Sequence, residues 1–238
     1  MKILELFAGS CSIGKVAKSE GHEVFSSDIK QFGEIDYVEN VLNFDYDKVP
    51  FVPDMIWMSP PCTGFSTASM GKHWGKYEDG SPYKPKTETA KLGIQLAQKS
   101  IEIFEHYQKI NPQLIWYIEN PRGVLRKMSF MTKLPIRNTV TYCKYGDMRM
   151  KPTDIWTNND LWVPRKMCKN KGHGYLDING ETWVLNQAGK ACHMAAPRGA
   201  KTGTQGLKGN YIRSMIPEEL CYDVIKAAEL KLSAQKHV

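Results

Sequence analysis

The sequence predicts an α/β protein built on a parallel sheet, and three observations carry that prediction. Short apolar strand candidates alternate with helical stretches over residues 1–157. The residues able to do chemistry fall at the carboxyl ends of those strands, where open α/β sheets place their ligands. The 238 residues are 42% hydrophobic and 24% charged, the composition of a globular chain with an ordinary core.

The elements follow in order. Ile3–Phe7 is an apolar strand candidate, followed by the small-residue stretch Ala8–Gly14 and a helix candidate over Lys15–Glu20. Glu23–Ser26 is the next strand and ends at Asp28; Asp54–Met58 is a third and runs into Ser59-Pro60-Pro61-Cys62. Lys91–Tyr107 carries Leu92, Leu96, Ile103, Phe104 and Tyr107 at helical spacing. Leu114–Ile118 is a strand ending at Glu119-Asn120-Pro121, and Thr139–Cys143 and Asp154–Thr157 are two more. Asn158–Asn210 is rich in Gly, Lys and Arg and reads as a small loop-rich subdomain. Helical order returns over Ile216–Leu232. Pro217 suits a first helical position, Glu218 and Glu219 the first turn, and Leu220, Val224, Ile225 and Ala228 share a face.

Charge is concentrated. Lys and Arg number 32 and Asp and Glu 25, for a net charge of +7. The segment Cys143–Arg213 holds 12 basic and 5 acidic residues, and the 20 of each sign elsewhere cancel. A local basic surface predicts a polyanion partner, nucleic acid first, with an ordinary solvated face as the alternative. No apolar run approaches the roughly 18 residues of a membrane span, so no membrane partner is expected. Met1–Leu6 has an acid in its apolar stretch and no small-residue cleavage site, and reads as a first strand, not a signal peptide. Six irregularly spaced cysteines fit thiols in a reducing compartment. An intracellular, cytoplasmic protein is expected.

The first chemical constellation is Glu5 to Gly14, a strand leading through Phe7, Ala8, Gly9, Ser10, Cys11 and Ser12 into a helix. Backbone N–H groups at a helix start receive a phosphate or carboxylate, which suits a nucleotide-type ligand; small residues also serve tight strand-to-helix turns. Asp28, beside Ile29, is a candidate for two ribose hydroxyls or for a helix cap, and Asp45, after Phe44, for reading an adenine amino group. The second is Ser59–Ser66. Pro60 and Pro61 fix the chain direction before Cys62, a candidate nucleophile whose alternative role is a buried structural thiol. Thr63–Thr87 mixes four glycines with lysines and aromatic residues, the composition of a lid that closes on nucleic acid or of a mobile surface loop; Ser66, Lys72 and Trp74 are its candidate contacts. The third is Trp116–Gly123, in which Glu119 is a candidate proton donor, or a capping acid, and Arg122 a candidate nucleic-acid contact. Pro197–Gly206 offers Arg198 and Lys201 to phosphate and Gln205 to a base edge, or is a plain connector. Cys168, His173, Cys192 and His193 are zinc-binding residue types, but their spacing is irregular and adjacent Cys192-His193 do not easily face one ion; no metal is expected.

In sequence order, these motifs resemble those of the DNA (cytosine-5) methyltransferases. Phe7-Ala8-Gly9, Pro61-Cys62 with Phe65-Ser66, and Glu119-Asn120 resemble the cofactor, nucleophile and acid motifs. Tyr145–Lys151 resembles a later basic motif, and Arg213-Ser214 the final cofactor-side motif. The resemblance covers Lys2 to about Asn158 and Arg213 to Ala228. Cys11 and Ser12 stand where the family usually has glycine, Pro121 where Val is usual, and the basic motif lacks its usual Gln and second Arg, leaving Arg149 and Lys151 as the nearest basic residues. The chain is short for the family and looks like a compact, phage-type member acting in a host cell.

The resemblance implies a Rossmann-like, S-adenosylmethionine-dependent methyltransferase sheet in residues 1–157, a small basic target-recognition subdomain in 158–209, and a C-terminal segment, 210–238, returning to the catalytic domain. It implies attack of Cys62 on cytosine C6, assistance from Glu119 at N3, methyl transfer to C5 and release of S-adenosylhomocysteine. The base must leave the duplex for this chemistry. Arg149 or Lys151 would hold the cytosine O2 or a nearby phosphate. Phe7, Ala8, Gly9, Ser10, Cys11, Ser12, Asp28, Ile29, Phe44, Asp45, Pro60 and Ser214 would line the cofactor site. The implied partner is double-stranded DNA, bound by a monomer. The same chemistry on RNA, the use of another one-carbon donor, and a catalytically silent nucleic-acid-binding relic stay open.

Overall fold

The computed structural model describes residues 1–67, 70–147, 151–167, 211 and 214–235, and the backbone of four short strands within 177–192. In chain order its elements are β1 (Lys2–Leu6), α1 (Ser12–Ser19), β2 (Glu23–Asp28), β3 (Tyr37–Val38), β4 (Met55–Met58), α2 (Met70–His73), β5 (Trp74–Lys76), β6 (Pro82–Pro85), α3 (Glu88–Ile110), β7 (Ile115–Pro121), α4 (Ser129–Thr132), β8 (Ile136–Thr141), β9 (Pro152–Thr157), β10 (Asp177–Ile178), β11 (Glu181–Thr182), β12 (Val184–Leu185), β13 (Ala191–Cys192) and α5 (Glu218–Gln235).

Seven strands form one sheet in the order β3-β2-β1-β4-β7-β9-β8. From β3 to β7 every neighbouring pair is parallel, as expected from sequence. Strand β9 departs from that expectation and runs antiparallel to both β7 and β8. The connection from β8 to β9 spans only 142–151, less than the dozen or more residues a parallel crossover requires, so the chain turns back and inserts between its neighbours.

Period-two alternation along the strands divides the core into two layers. Leu4, Leu6, Ile56, Met58, Trp116 and Ile118 face one side, where α3 covers them with Ala97, Ile103, Phe104 and Tyr107. Ile3, Met55, Trp57, Ile115 and Tyr117 face the other, where Val16 and Ala17 of α1 pack with Leu220, Val224 and Ile225 of α5. Among the described residues no helix is long and apolar enough to cross a membrane.

The segment expected to be a lid is structured on both sides of residues 68–69. β5 and β6 pair antiparallel, and His73 Nδ1 bonds Thr87 Oγ1 at 2.7 Å, while Thr87 caps α3 by accepting from the Ala90 N–H. Trp74, expected as a stacking contact, is 5% exposed. Its ring stacks on Phe65 at 5.8 Å and its indole N–H donates to the Gly64 carbonyl at 2.6 Å. Burial of so large a ring outweighs any role at the surface, so Trp74 serves the core and not a nucleic-acid face. Lys72, by contrast, is exposed on α2.

Candidate active site

Two chain turns at the carboxyl edge of the sheet carry the candidate site residues, and each is fixed by an acid or amide on a strand. In the β1–α1 turn, Phe7, Gly9 and Cys11 have φ of 55°, 50° and 52°. Left-handed backbone is uncommon outside glycine, so two non-glycine residues here mark a turn held by its surroundings. The Gly9 N–H donates to Asp28 Oδ2 at 3.0 Å, and the Lys30 N–H to Oδ1 at 3.0 Å. Asp28 therefore ties the end of β2 to the glycine turn, and each of its oxygens retains a lone pair for a further donor. Ile29 beside it is 62% exposed.

Glu5, on β1, opens the first sequence motif but received no role there. Alternation turns it toward α1, where its carboxylate accepts from the Ile13 and Gly14 N–H groups at 3.2 and 2.9 Å. It thus satisfies two of the orphan donors at the helix start. Burial pushes its pKa up to about 7 against the pull of those two bonds and of Lys15 and Lys18. Burial likewise pushes the Cys11 thiol up to about 11, assisted by the Glu5 charge, which makes it a poor thiolate. The signal for Glu5 was present: an acid inside an otherwise apolar strand, just before a helix start.

The C-terminal segment closes against this turn. Ser12 Oγ bonds Ser10 Oγ at 2.8 Å and accepts from the Ile216 N–H at 3.1 Å. Ser214 is exposed, its hydroxyl donating to the Tyr211 carbonyl, and its Oγ lies 3.6 Å from where a Cβ on Gly9 would stand. Sequence motifs far apart in the chain, Phe7–Ser12 and Ser214, thus meet. Ala8 and Ser10 are buried in the turn. Asp45 is exposed and accepts from the Asp47 N–H, whereas Phe44 is 5% exposed and packs edge-on against Tyr46 at 5.5 Å. Phe44 therefore acts through the core beneath Asp45, its ring not being presented to a ligand.

The second turn follows β4. Met58 of β4 lies opposite Ile118 of β7, so the chain leading to Cys62 leaves the sheet beside Glu119. Strand β7 runs on to Pro121, which places Glu119 and Asn120 within the sheet, paired to Ile155 and Asp154 of β9, where sequence put them beyond the strand end. The side chains of Glu119 and Asn120 face opposite sides. Asn120, fully buried, donates from Nδ2 to the Pro60 carbonyl at 2.8 Å and so anchors the Pro60-Pro61-Cys62 turn directly to β7. The Phe65 N–H returns to the Cys62 carbonyl at 2.9 Å, and the Val124 N–H to the Phe65 carbonyl at 2.8 Å. Gly123 permits that last approach: a Cβ there would lie 2.2 Å from the Phe65 oxygen. Cys62 is an exposed thiol at the head of this clamped turn, with Ser66 partly exposed behind it.

Glu119 is 5% exposed. The Tyr142 hydroxyl donates to its Oε1 at 2.9 Å, and Lys151 Nζ stands 3.9 Å from the same oxygen and 4.6 Å over the Tyr142 ring. Of the two expected basic partners, Lys151 therefore lies beside Glu119. Arg149 lies outside the described residues, as do Arg198, Lys201, Gln205, and the side chains of Cys168, His173, Cys192 and His193. Arg122 is exposed just past β7. Among the described residues no group of three or more His, Cys, Asp or Glu is placed to hold a metal ion. Tyr142 is the candidate position that the sequence did not point to, and Glu5 and Asn120 were quoted within motifs without a role of their own. A hydroxyl or amide partner across the sheet leaves no local pattern.

An exposed thiol held at one strand end, beside a buried carboxylate on the next, is an arrangement for covalent addition with proton assistance. No family model matches the chain. It is similar to a protein of Frog virus 3 (isolate Goorha) described as a probable DNA (cytosine-5)-methyltransferase, at 32% identity over 175 residues, covering 72% of this chain and 76% of the relative. Among solved structures it is similar to the Entamoeba histolytica methyltransferase EhMeth (TM-score 0.48, 13% identity, 77% of this chain and 58% of that one). It is also similar to a Spodoptera frugiperda DNMT2 variant (TM-score 0.43, 22% identity, 71% of this chain and 53% of that one). The chain thus spans little more than half the length of those solved structures. With the motif residues gathered at one sheet edge and a viral relative matched over most of both lengths, the chain belongs to the DNA (cytosine-5)-methyltransferase family.

Proposed function

We propose that this protein methylates C5 of cytosine in DNA, using S-adenosylmethionine, through a covalent adduct between Cys62 and C6 of the base. The observation that carries the reading is the pairing of the exposed Cys62 turn with buried Glu119 across neighbouring strands, locked by the Asn120–Pro60 hydrogen bond. The β1–α1 turn fits the cofactor. Asp28 keeps acceptor capacity for ribose hydroxyls, the turn at Phe7–Cys11 is held left-handed at three residues, and Ser214 packs against Gly9. When bound there, S-adenosylmethionine supplies an electrophilic methyl group and departs as S-adenosylhomocysteine.

This chain's residues do the rest. Cys62 adds as thiolate to C6, forming the S–C bond and pushing electron density to C5. Glu119 hydrogen-bonds or protonates N3, which makes the ring the better electrophile. C5 takes the methyl group, its proton passes to a base or water, and elimination restores the Cys62 thiolate and the aromatic ring. Tyr142 and Lys151 hold the Glu119 carboxylate from one side. The reaction needs the base outside the duplex, so base flipping is part of the proposal. Residues 158–209 are proposed to supply target recognition and the protein to act as a monomer on double-stranded DNA inside a cell.

The test is incubation with labelled S-adenosylmethionine and either duplex DNA or RNA, followed by nucleoside mass analysis. The expected product is 5-methyldeoxycytidine. Methylcytidine from RNA alone would move the substrate, and no methylated base from either polymer would overturn the reading.

A further inference from the structure

The charge tally by segment hides a second basic region. Between Asn120 and Gly146 the sequence carries Arg122, Arg126, Lys127, Lys133, Arg137 and Lys144 and no Asp or Glu at all. Averaged with the acidic stretches before it, this run vanishes from the count.

The fold gathers its arginines. Arg126 follows Val124 and Leu125 on a single 3₁₀ turn, whose two apolar residues anchor it in the core. Its Nη2 reaches Asp154 Oδ1 at 3.0 Å and Thr139 Oγ1 at 3.1 Å, and Thr139 itself donates to the same Asp154 oxygen at 2.7 Å. Thr139 lies opposite Asp154 in the β8–β9 ladder, and Arg137, two residues earlier, shares its face of the sheet. Arg122 is tied to the same ladder by its N–H, which donates to the Pro152 carbonyl at 2.9 Å. The Arg126 guanidinium touches the buried Asp154 carboxylate, while Arg137 on the edge strand β8 and Arg122 at the β7 end act on it through charge alone. Among the described residues, Arg122 and Arg137 form no contact ion pair with a carboxylate, and both are exposed. Burial first, and then the neighbouring Arg137 and Arg122, hold the Arg126 guanidinium below its ordinary pKa, a repulsion that an arriving anion would relieve.

The position of this surface gives its use. Val124, between Arg122 and Arg126, bonds the Phe65 carbonyl of the Cys62 turn. That bond holds the arginine-bearing segment side by side with the Cys62 turn, with Arg122 exposed two residues away. We propose that Arg122, Arg126 and Arg137 form a binding surface for backbone phosphate of the nucleic-acid substrate, next to the target nucleotide. Arginine suits the task because its planar fork grips phosphate oxygens in pairs. The contacts position the strand and carry no sequence information. The proposal rests on the reading of the protein as a nucleic-acid cytosine methyltransferase.

The test is an Arg122→Ala/Arg137→Ala double variant. Arg126 is left in place because its removal would strand buried Asp154. Lys109→Ala, at the far end of α3, serves as the control. Affinity for a fluorescent DNA duplex and for an RNA hairpin is measured across a series of salt concentrations, with methyl transfer by the wild type followed in parallel. The double variant is expected to bind its substrate polymer more weakly whatever the sequence, with the log–log salt slope shallower by about 2 on duplex, since each lost phosphate contact removes about 0.9. The control keeps the wild-type slope. A double variant with wild-type slope and affinity, beside a wild type that methylates, overturns the surface alone. A wild type that neither binds nor methylates either polymer overturns the reading beneath it.

Discussion

Glu5→Gln isolates the acid that holds the start of α1. The folded protein raises the Glu5 pKa from 4.5 to about 7, chiefly by burial. At about 1.4 kcal/mol per unit, that shift is worth about 3 kcal/mol between the two protonation states. The sign follows from proton binding. Below about pH 4.5 the carboxyl is protonated in both folded and unfolded chains, and the stability it contributes is fully present. Between 4.5 and 7 the folded protein keeps a proton that the unfolded chain has released, so stability falls as pH rises. Above 7 the loss is complete. Glutamine cannot titrate. Its amide oxygen replaces one acceptor and its NH₂ opposes the other N–H, a fixed cost of about 1–3 kcal/mol. Urea unfolding of both proteins at a series of pH values is the assay. From pH 4.5 to pH 8 the stability difference should move by about 3 kcal/mol in favour of E5Q, closing or reversing the wild type's low-pH advantage. His22 and the other titrating groups are common to both proteins and cancel in the difference. A gap constant across that range would refute the buried, neutral-range Glu5.

Three further outcomes are expected. Cys62→Ser should abolish methylated product while S-adenosylmethionine binding, read by calorimetry, is retained, because the β1–α1 turn does not involve the thiol. Tyr142→Phe removes a hydrogen bond to a charged acceptor, worth about 1.5–3 kcal/mol; turnover should fall roughly tenfold or more with substrate affinity preserved, and an equal loss in both would reassign Tyr142 to folding alone. Trp74→Ala should destabilise the fold by about 3–5 kcal/mol through the cavity it leaves against Phe65. A selective loss of nucleic-acid affinity at unchanged stability would instead return Trp74 to the surface role expected from sequence.

Much of the site was legible in the chain because its signals are local. A Gly-containing turn after an apolar strand, two prolines before a cysteine, and an acid closing an apolar run each show within ten residues. Strands β1, β2, β4, β7 and β9 and helices α3 and α5 were foreseen to within a few residues at each end, since their apolar periodicity is strong. The short strand β3 and the β5–β6 hairpin carried no such pattern, and the hairpin was read as a loop for its glycines and lysines. Tertiary packing decided the rest. It turned Trp74 and Phe44 inward, because burying large rings outweighs their value at a surface. It sent β9 back antiparallel, because a short connection cannot cross over. It also set Tyr142 and Lys151 on Glu119, Asn120 on Pro60, and Arg126 on Asp154, pairings between residues that are not neighbours in sequence. The sequence by itself determined the class of fold and the residue types that do the chemistry, because both are written in local periodicity and short motifs. Only the tertiary structure decided what holds those residues in place, because a hydrogen-bond partner across a sheet is chosen by register and burial.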